Sequence, residues 1–154
     1  MRLNKVMVMA LLIVTSPLTL AAGLINDMQS CQGLIEFIDK KLDSAPANYG
    51  KSEINNVRKG LDGYNDYIQS EIVEPGLLQY SNGDNAKADA MQKQVDAYKQ
   101  TVVKQLNARY PDNRLFTDHA VAINNCAKQA VPAGQPLEDL KGAVNAMIKL
   151  AQTN

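Results

Sequence analysis

The stretch LINDMQSCQGLIEFIDKKL, residues 24–42, decides the fold of this chain. Its apolar residues recur in alternating steps of four and three, which places them along one side of a helix, as in a helical bundle. The stripe comprises Leu24, Met28, Cys31, Ile35, Ile38 and Leu42. Cys31 lies in its middle, and the only other cysteine, Cys126, lies in a later helical pattern. A bond between them would tie the first helix to a late one.

Residues 1–22 have the pattern of a secretory signal peptide. Arg2 and Lys5 supply a positively charged start, and an uncharged apolar run follows at residues 6–14. That run is shorter than the roughly 20 residues that a membrane-spanning helix requires. The alternative interpretation is an uncleaved membrane anchor.

Small residues follow the apolar run and offer a cleavage site. We expect cleavage after Ala21 or Ala22, which leaves residues 23–154 as a single domain. The mature protein is then expected to be periplasmic or secreted, with no membrane attachment after cleavage.

Charge argues against nucleic acid as a partner. The full chain has 16 basic and 16 acidic residues, and cleavage would remove Arg2 and Lys5. The mature chain therefore lacks the basic surface that nucleic-acid binding usually needs. Tryptophan is absent and phenylalanine appears twice, so the core is expected to be aliphatic, with Tyr and Met.

The two cysteines predict one disulfide, because an exported chain meets an oxidising compartment. The alternative is two buried free thiols. Bonded cysteines need Cα atoms about 4.4–6.8 Å apart, so Cys31 and Cys126 require closely approaching helices. Small neighbours such as Gly33 and Ala127 permit that approach.

Four further amphipathic patterns follow the first helix. Ser52 is a plausible N-cap for the second, and Pro75-Gly76 is expected to end it. Asp84 or Asn85 would cap the third helix, and an alanine-rich fourth and a fifth helix complete the chain. The patterns predict an all-α antiparallel bundle of about five amphipathic helices, four long plus one, stapled by one disulfide.

Two glycines interrupt the second pattern. Gly60 and Gly63 each weaken a helix by up to about 1 kcal/mol relative to alanine. We interpret both as places where a neighbouring helix packs closely.

No catalytic motif is present: the chain lacks a nucleophile elbow, a zinc-protease helix motif, a glycine-rich phosphate loop and a C-x-x-C pair. His119 is the sole histidine, and we interpret Asp118-His119 as a solvent-facing helix start. Asp62 and Asp66 share a helix face and could hold a cation or perform acid–base chemistry, although no other group converges on them. The sequence therefore predicts a protein that is not an enzyme, with no metal and no cofactor.

Three large residues, Leu77, Leu78 and Tyr80, fall in a predicted loop. They either plug the open end of the bundle or form an exposed patch for a partner, with Tyr67 nearby beside the apolar stripe. The leading hypothesis is an exported non-enzymatic bundle that binds another protein, such as an inhibitor, an immunity protein or an adaptor.

The alternative hypothesis is a periplasmic carrier of a small molecule or haem. A ligand between helices would contact Tyr64, Met91, Tyr98 and Met147. The general layout resembles cytochrome b562, with Met28 near the mature N-terminus and His119 on a late helix. That resemblance implies Met28 and His119 as haem ligands.

Overall fold

The computed structural model describes the backbone of residues 18–153 and the side chains of residues 23–153. The helices are α1 (Leu18–Asp43), α2 (Lys51–Ile68), a π-helical segment (Gln69–Val73), α3 (Glu74–Tyr80), α4 (Asn85–Arg109), α5 (Thr117–Gln129) and α6 (Gln135–Gln152). The second to fourth of these continue without a break, so the described residues form five rods and no strand. The predicted all-α bundle is confirmed. The signal-peptide prediction falls on undescribed residues and the start of α1, and stays a prediction.

Helix α1 is the central rod, because it packs against α2, α3, α4 and α5. The predicted stripe is largely buried, with Met28 and Ile38 completely inaccessible. Ile25, Leu34 and Phe37 lie off that stripe and are also buried. A helix surrounded by neighbours needs apolar residues on more than one face, which explains the extra positions.

The disulfide joins α1 to α5. Cys31 and Cys126 are bonded, with Sγ atoms 2.05 Å apart and Cα atoms 5.9 Å apart. Both side chains are buried. The predicted pairing is confirmed. It ties the central helix α1 to α5, across a sequence separation of 95 residues.

The most extensive helix pair is α2 with α6. A Cβ atom added to Gly60 would lie 2.3 Å from the carbonyl oxygen of Asp139 and 2.6 Å from the Cβ of Ala143. Gly60 therefore permits close packing of the two helices, as predicted. Gly63 faces open space, so the same interpretation is wrong there.

Pro75-Gly76 does not end the second helix, contrary to the sequence prediction. The N–H of Glu74 donates to Gln69 O, five residues earlier, as a π-helical turn requires. A proline ring normally clashes with the carbonyl four residues before it, and the wider turn accommodates Pro75. Gly76 has a packing role, because an added Cβ would lie 2.5 Å from Cδ1 of Ile25 on α1.

Caps at the helix starts agree in part with the sequence. The Asp84 side chain accepts a hydrogen bond from the N–H of Lys87 at 3.1 Å, which confirms the predicted cap of α4. Ser52 is not a cap, because Gly50 occupies the N-cap position and α2 begins at Lys51. The helix therefore starts two residues earlier than the hydroxyl pattern indicated.

The C-terminal end of α1 holds the connection between α4 and α5 in place. The buried Lys41 ammonium donates to the carbonyl oxygens of Tyr110, at 2.8 Å, and Asp112. The hydroxyl of Tyr49 accepts from the N–H of Leu115 at 2.8 Å. Burial lowers the pKa of Lys41. A cation beside the carbonyls that follow α4 also complements the negative end of that helix.

Candidate functional site

The residues predicted to form a partner-binding loop instead lie on α3. Leu77 is only 4% exposed and belongs to the core, whereas Leu78 is 40% exposed and Tyr80 is 55% exposed. The expected loop is therefore wrong, because the π-helical segment carries the helix past Pro75. Each of the two interpretations from the sequence holds for different residues. Leu77 packs inside the bundle, whereas Leu78 and Tyr80 face solvent.

An open groove of about 490 Å³ lies between α1, α3 and α4, and we call it the α3–α4 groove. Its apolar and aromatic wall consists of Ile25, Leu77, Tyr80, Met91, Val95 and Tyr98. Three uncharged polar residues, Asn26, Gln29 and Gln94, complete it. Among the described residues, no charged side chain lines this groove. The surface therefore suits a ligand that is largely apolar and uncharged.

A smaller depression of about 300 Å³ adjoins the groove, and Leu77 lines both. Its other walls include Leu78 and the carboxylates Glu74 and Asp89. Leu78 and Tyr80 thus border two concavities, one uncharged and one acidic at its rim.

Tyr98 is the exposed aromatic residue that α4 contributes to the α3–α4 groove. The residue is 46% exposed and lines the α3–α4 groove. Its hydroxyl lies 3.1 Å from Oγ of Ser30 on α1, within hydrogen-bond distance. A ring held at one end and open along its length is a good anchor for a partner, because little side-chain entropy is lost when it is covered.

The sequence did not indicate the part that α1 has in the groove. Ile25, Asn26 and Gln29 lie beside the predicted stripe rather than on it. Ile25 was the available signal, since an apolar residue next to Leu24 but off the stripe implies a second packed face. The close contact between Ile25 and Gly76 forms only in the folded structure, and no local sequence pattern predicts it.

Tyr67 is not part of the α3–α4 groove. Its hydroxyl donates to the carbonyl oxygen of Val131 at 3.1 Å, and its ring stacks on Tyr64 at a centroid distance of 6.2 Å. The buried Tyr64 hydroxyl donates to Ala130 O at 3.0 Å. The two tyrosines therefore fasten the C-terminal end of α5 to α2. Burial raises the pKa of Tyr64, which keeps its hydroxyl a donor.

The four residues proposed to line a carrier cavity are separated. Met91 and Tyr98 line the open α3–α4 groove, whereas Tyr64 and Met147 are completely buried in the core. Met28 is likewise completely buried. Only the first pair could contact a ligand without rearrangement of the core.

His119 is only 1% exposed, so its interpretation as a solvent-facing residue is wrong. Its ring meets Phe37, Tyr110 and Phe116 edge to face, at centroid distances of 5.3, 4.6 and 5.6 Å. Its Nδ1 accepts from the N–H of Phe116 at 3.3 Å, which places the proton of the neutral ring on Nε2. Among the described residues, Nε2 has no hydrogen-bond partner. The histidine therefore packs as an aromatic core residue.

Burial, with the nearby charge of Lys41 as a second cause, lowers the pKa of His119 to about 4. An unfolded histidine binds a proton near pH 6.5, so between about pH 6.5 and 4 the unfolded chain holds more protons. The stability that the neutral ring gives is complete above pH 6.5 and is lost as the pH falls toward 4. Between pH 7.5 and 5 we expect this group to cost about 2 kcal/mol of unfolding free energy.

The matched variant is His119→Gln, whose side chain does not titrate and retains an acceptor for Phe116. Urea unfolding of both proteins at pH 7.5 and pH 5 measures the difference. The variant should lose about 2 kcal/mol less than the wild type over this interval. Equal losses in the two proteins would contradict the assignment to His119.

Comparison with known protein families, with curated proteins and with solved structures found no match. Within residues 18–153, no helix is long and apolar enough to cross a bilayer. The same residues contain no group of three or more His, Cys, Asp or Glu side chains placed to hold a metal ion. The case for a function therefore depends on the surface itself.

Proposed function

We propose that this chain is an exported, non-enzymatic protein that binds another protein through α3 and the facing part of α4. An inhibitor, an immunity protein or an adaptor would work in this way. Its binding surface consists of the α3–α4 groove, Leu78 and the adjoining acidic depression. A periplasmic or secreted location agrees with the disulfide.

The clustering of exposed apolar side chains carries this proposal. Among the described residues, five large hydrophobic side chains are strongly exposed: Leu78, Tyr80, Tyr98, Val121 and Val131. The first three lie around the α3–α4 groove and the depression beside it. Single exposed apolar residues are ordinary on soluble proteins, whereas grouped ones next to a concave surface mark interaction sites. Tyrosine is also a frequent anchor of protein interfaces.

Charge defines the partner segment. The described residues that line the groove are uncharged, so the segment that fills it should present apolar side chains with few polar groups. The adjoining depression carries Glu74 and Asp89, and Asp89 has no ion pair among the described residues. We therefore propose an amphipathic segment, apolar along its contact face and basic at one end, that binds by helix-in-groove packing.

The double variant Leu78→Ser/Tyr80→Ser tests the surface without disturbing the core. Leu77 is left intact because it is buried, and its substitution would unfold the protein rather than test binding. Loss of two exposed anchors should weaken the partner complex by about 30-fold or more, since such anchors contribute about 2 kcal/mol or more. The wild-type protein, produced with its full N-terminus, is recovered from the periplasm and used as bait. Its measured mass should correspond to cleavage after Ala21 or Ala22.

Val121→Ser is the matched control, because Val121 is also exposed but lies on α5. A stoichiometric protein captured by the wild type and by the control, and lost with the double variant, supports the proposal. Circular dichroism must show equal helicity for all three proteins. Equal capture by the double variant would contradict the assignment of the surface.

The groove volume also agrees with the carrier hypothesis. Small-molecule sites commonly enclose about 300–1,000 Å³, and Met91 and Tyr98 already line a groove of about 490 Å³. A carrier would copurify with a small ligand rather than a protein. Native mass spectrometry of the periplasmic material distinguishes the two, because each class of ligand adds a different mass.

A further inference from the structure

A separate apolar groove, which we call the α5–α6 groove, lies on the face of the molecule that the last two helices form. Its volume is about 400 Å³. Five apolar residues line it: Ala127, Val131, Leu137, Leu140 and Val144. Leu140 is only 2% exposed, whereas Val131 is 57% exposed. An exposed apolar side chain beside a concave apolar surface is typical of a ligand-binding site.

The groove exists because α6 carries apolar residues on two faces. Leu140, Ala143 and Met147 are buried in the bundle. Leu137 and Val144 belong to a second stripe at helical spacing, and both are only partly buried. Within the described part of the chain, α6 packs against α2 and α5 alone. No third helix therefore covers this second stripe.

The α5–α6 groove has an apolar end and a polar end. The short connection at residues 130–134 joins the two helices, which run antiparallel as in a helical hairpin. Val131 and Leu137 therefore lie at the end near the connection, and Asn124 and Asn145 lie at the far end. At about 1.5 Å per residue, α6 spans about 12 Å from Leu137 to Asn145, the length of an extended alkyl chain of about ten carbons.

Two lysines make the rim of the groove positive. Lys128 on α5 and Lys141 on α6 line it, and no carboxylate among the described residues does. Lys128 donates to Oδ1 of Asn125 at 3.5 Å and has no ion pair within the described residues. Lys141 pairs with Glu138 at 2.8 Å, but both side chains are more than half exposed, so water screens that pair. The groove therefore favours an anion.

Charge and size together define the class of ligand. A second copy of this chain, bound symmetrically through the same groove, would bring the lysines of both copies together, and such like charges oppose association. Nine residues line the groove, whereas a typical protein interface takes about 20–30 residues from each partner. Its volume instead falls within the range of about 300–1,000 Å³ that is usual for small-molecule sites. The ligand that fits is a small molecule with an apolar chain and an anionic head.

We propose that the α5–α6 groove binds a fatty acid of about ten carbons in its carboxylate form. The alkyl chain lies over Leu140 and extends toward the connection. The carboxylate accepts hydrogen bonds from the side-chain amides of Asn124 and Asn145, and the two lysine ammonium groups supply the opposite charge. Burial of methylene groups and attraction of the head group both contribute, so chain length and head charge should each control the affinity.

Calorimetry with decanoate below its micellar concentration tests the proposal. We expect saturable binding of one decanoate per chain. Each methylene should change the affinity about twofold, because an open groove buries only about half of its surface. Hexanoate should therefore bind about 15-fold more weakly than decanoate. Decyltrimethylammonium has the same alkyl chain with the opposite head charge, and it should bind at least about tenfold more weakly than decanoate.

The double variant Lys128→Gln/Lys141→Gln tests the charged rim, and both positions are exposed, so the fold is retained. It should weaken decanoate binding about tenfold without weakening the binding of decyltrimethylammonium. Lys93→Gln/Lys104→Gln is the matched control, because it removes the same charge from exposed positions on α4. In about 0.1 M salt, where charges beyond about 10 Å are screened, this control should change the decanoate affinity less than about twofold.

A ¹⁵N spectrum locates the bound chain. The side-chain amides of Asn124 and Asn145 should shift on titration with decanoate, whereas those of Gln29 and Gln94 in the α3–α4 groove should not. Shifts confined to the two glutamines would overturn the proposal, as would the absence of saturable binding. Equal weakening by the two double variants would overturn it too, because that result indicates general charge attraction. The capture experiment on α3 is decided independently of all these outcomes.

Discussion

Reduction of the Cys31–Cys126 bond should lower the free energy of unfolding by about 4–5 kcal/mol and the Tm by about 15 °C. The cysteines are 95 residues apart in the chain. A cross-link over so long a segment removes many conformations from the unfolded chain, which is the main source of the expected effect. Urea unfolding of oxidised and reduced protein, at equal pH and concentration, measures it without a change of sequence.

The double variant Cys31→Ala/Cys126→Ala provides the control. It should unfold at a similarly low urea concentration, and reductant should not change its midpoint. Coincident unfolding curves for oxidised and reduced wild type would show that the bond contributes little. A free-thiol assay in denaturant must confirm the oxidation state of each sample.

Gly60→Ala should destabilise the bundle by about 2–3 kcal/mol, the second large effect that we expect. The added methyl would lie 2.3 Å from Asp139 O, and a backbone atom of a packed helix cannot move aside as a flexible side chain can. Helices α2 and α6 must therefore separate, which disturbs the most extensive helix pair in the bundle. Thermal and urea unfolding measure the loss.

Gly63→Ala is a control on the same helix, three residues further on. Nothing lies within 4 Å of its added Cβ, and alanine has the higher helix propensity. This variant should be more stable than the wild type by up to about 1 kcal/mol. Similar changes in the two variants would show that helix propensity, rather than the contact with Asp139, governs the second helix.

Residue spacing predicted the helices and the cysteine pair because both follow from local periodicity and compartment chemistry. The step pattern through Met28 and Ile38 requires a buried face whatever the neighbouring helices are. Cys31 and Cys126 were the only candidates for a bond. These inferences need no knowledge of how the rods are arranged.

The continuation of the second helix could not be predicted from Pro75-Gly76. Proline and glycine usually end helices, and nothing local shows that a π-helical turn accommodates the ring. The packing role of Gly76 depends on Ile25, 51 residues away in the chain. Consequently the sequence placed Leu77, Leu78 and Tyr80 in a loop and could not separate the buried leucine from the exposed pair.

His119 illustrates the same limit at the other end of the bundle. Next to Asp118 and at the start of a short helix, it has the local pattern of a surface residue. Its burial results from Phe37 on α1 and Tyr110 after α4, which only the tertiary structure brings together.

The position of the disulfide gives the chain a closed covalent circuit with one helix outside it. The circuit from Cys31 to Cys126 includes α2, α3 and α4 and is complete before α6 begins at Gln135. Cross-linking and the seating of the last helix are therefore separable events during biogenesis. If the disulfide forms in a nascent chain before α6 is available, the surface of α2 at Gly60 would stay exposed until the C-terminal segment packs against it.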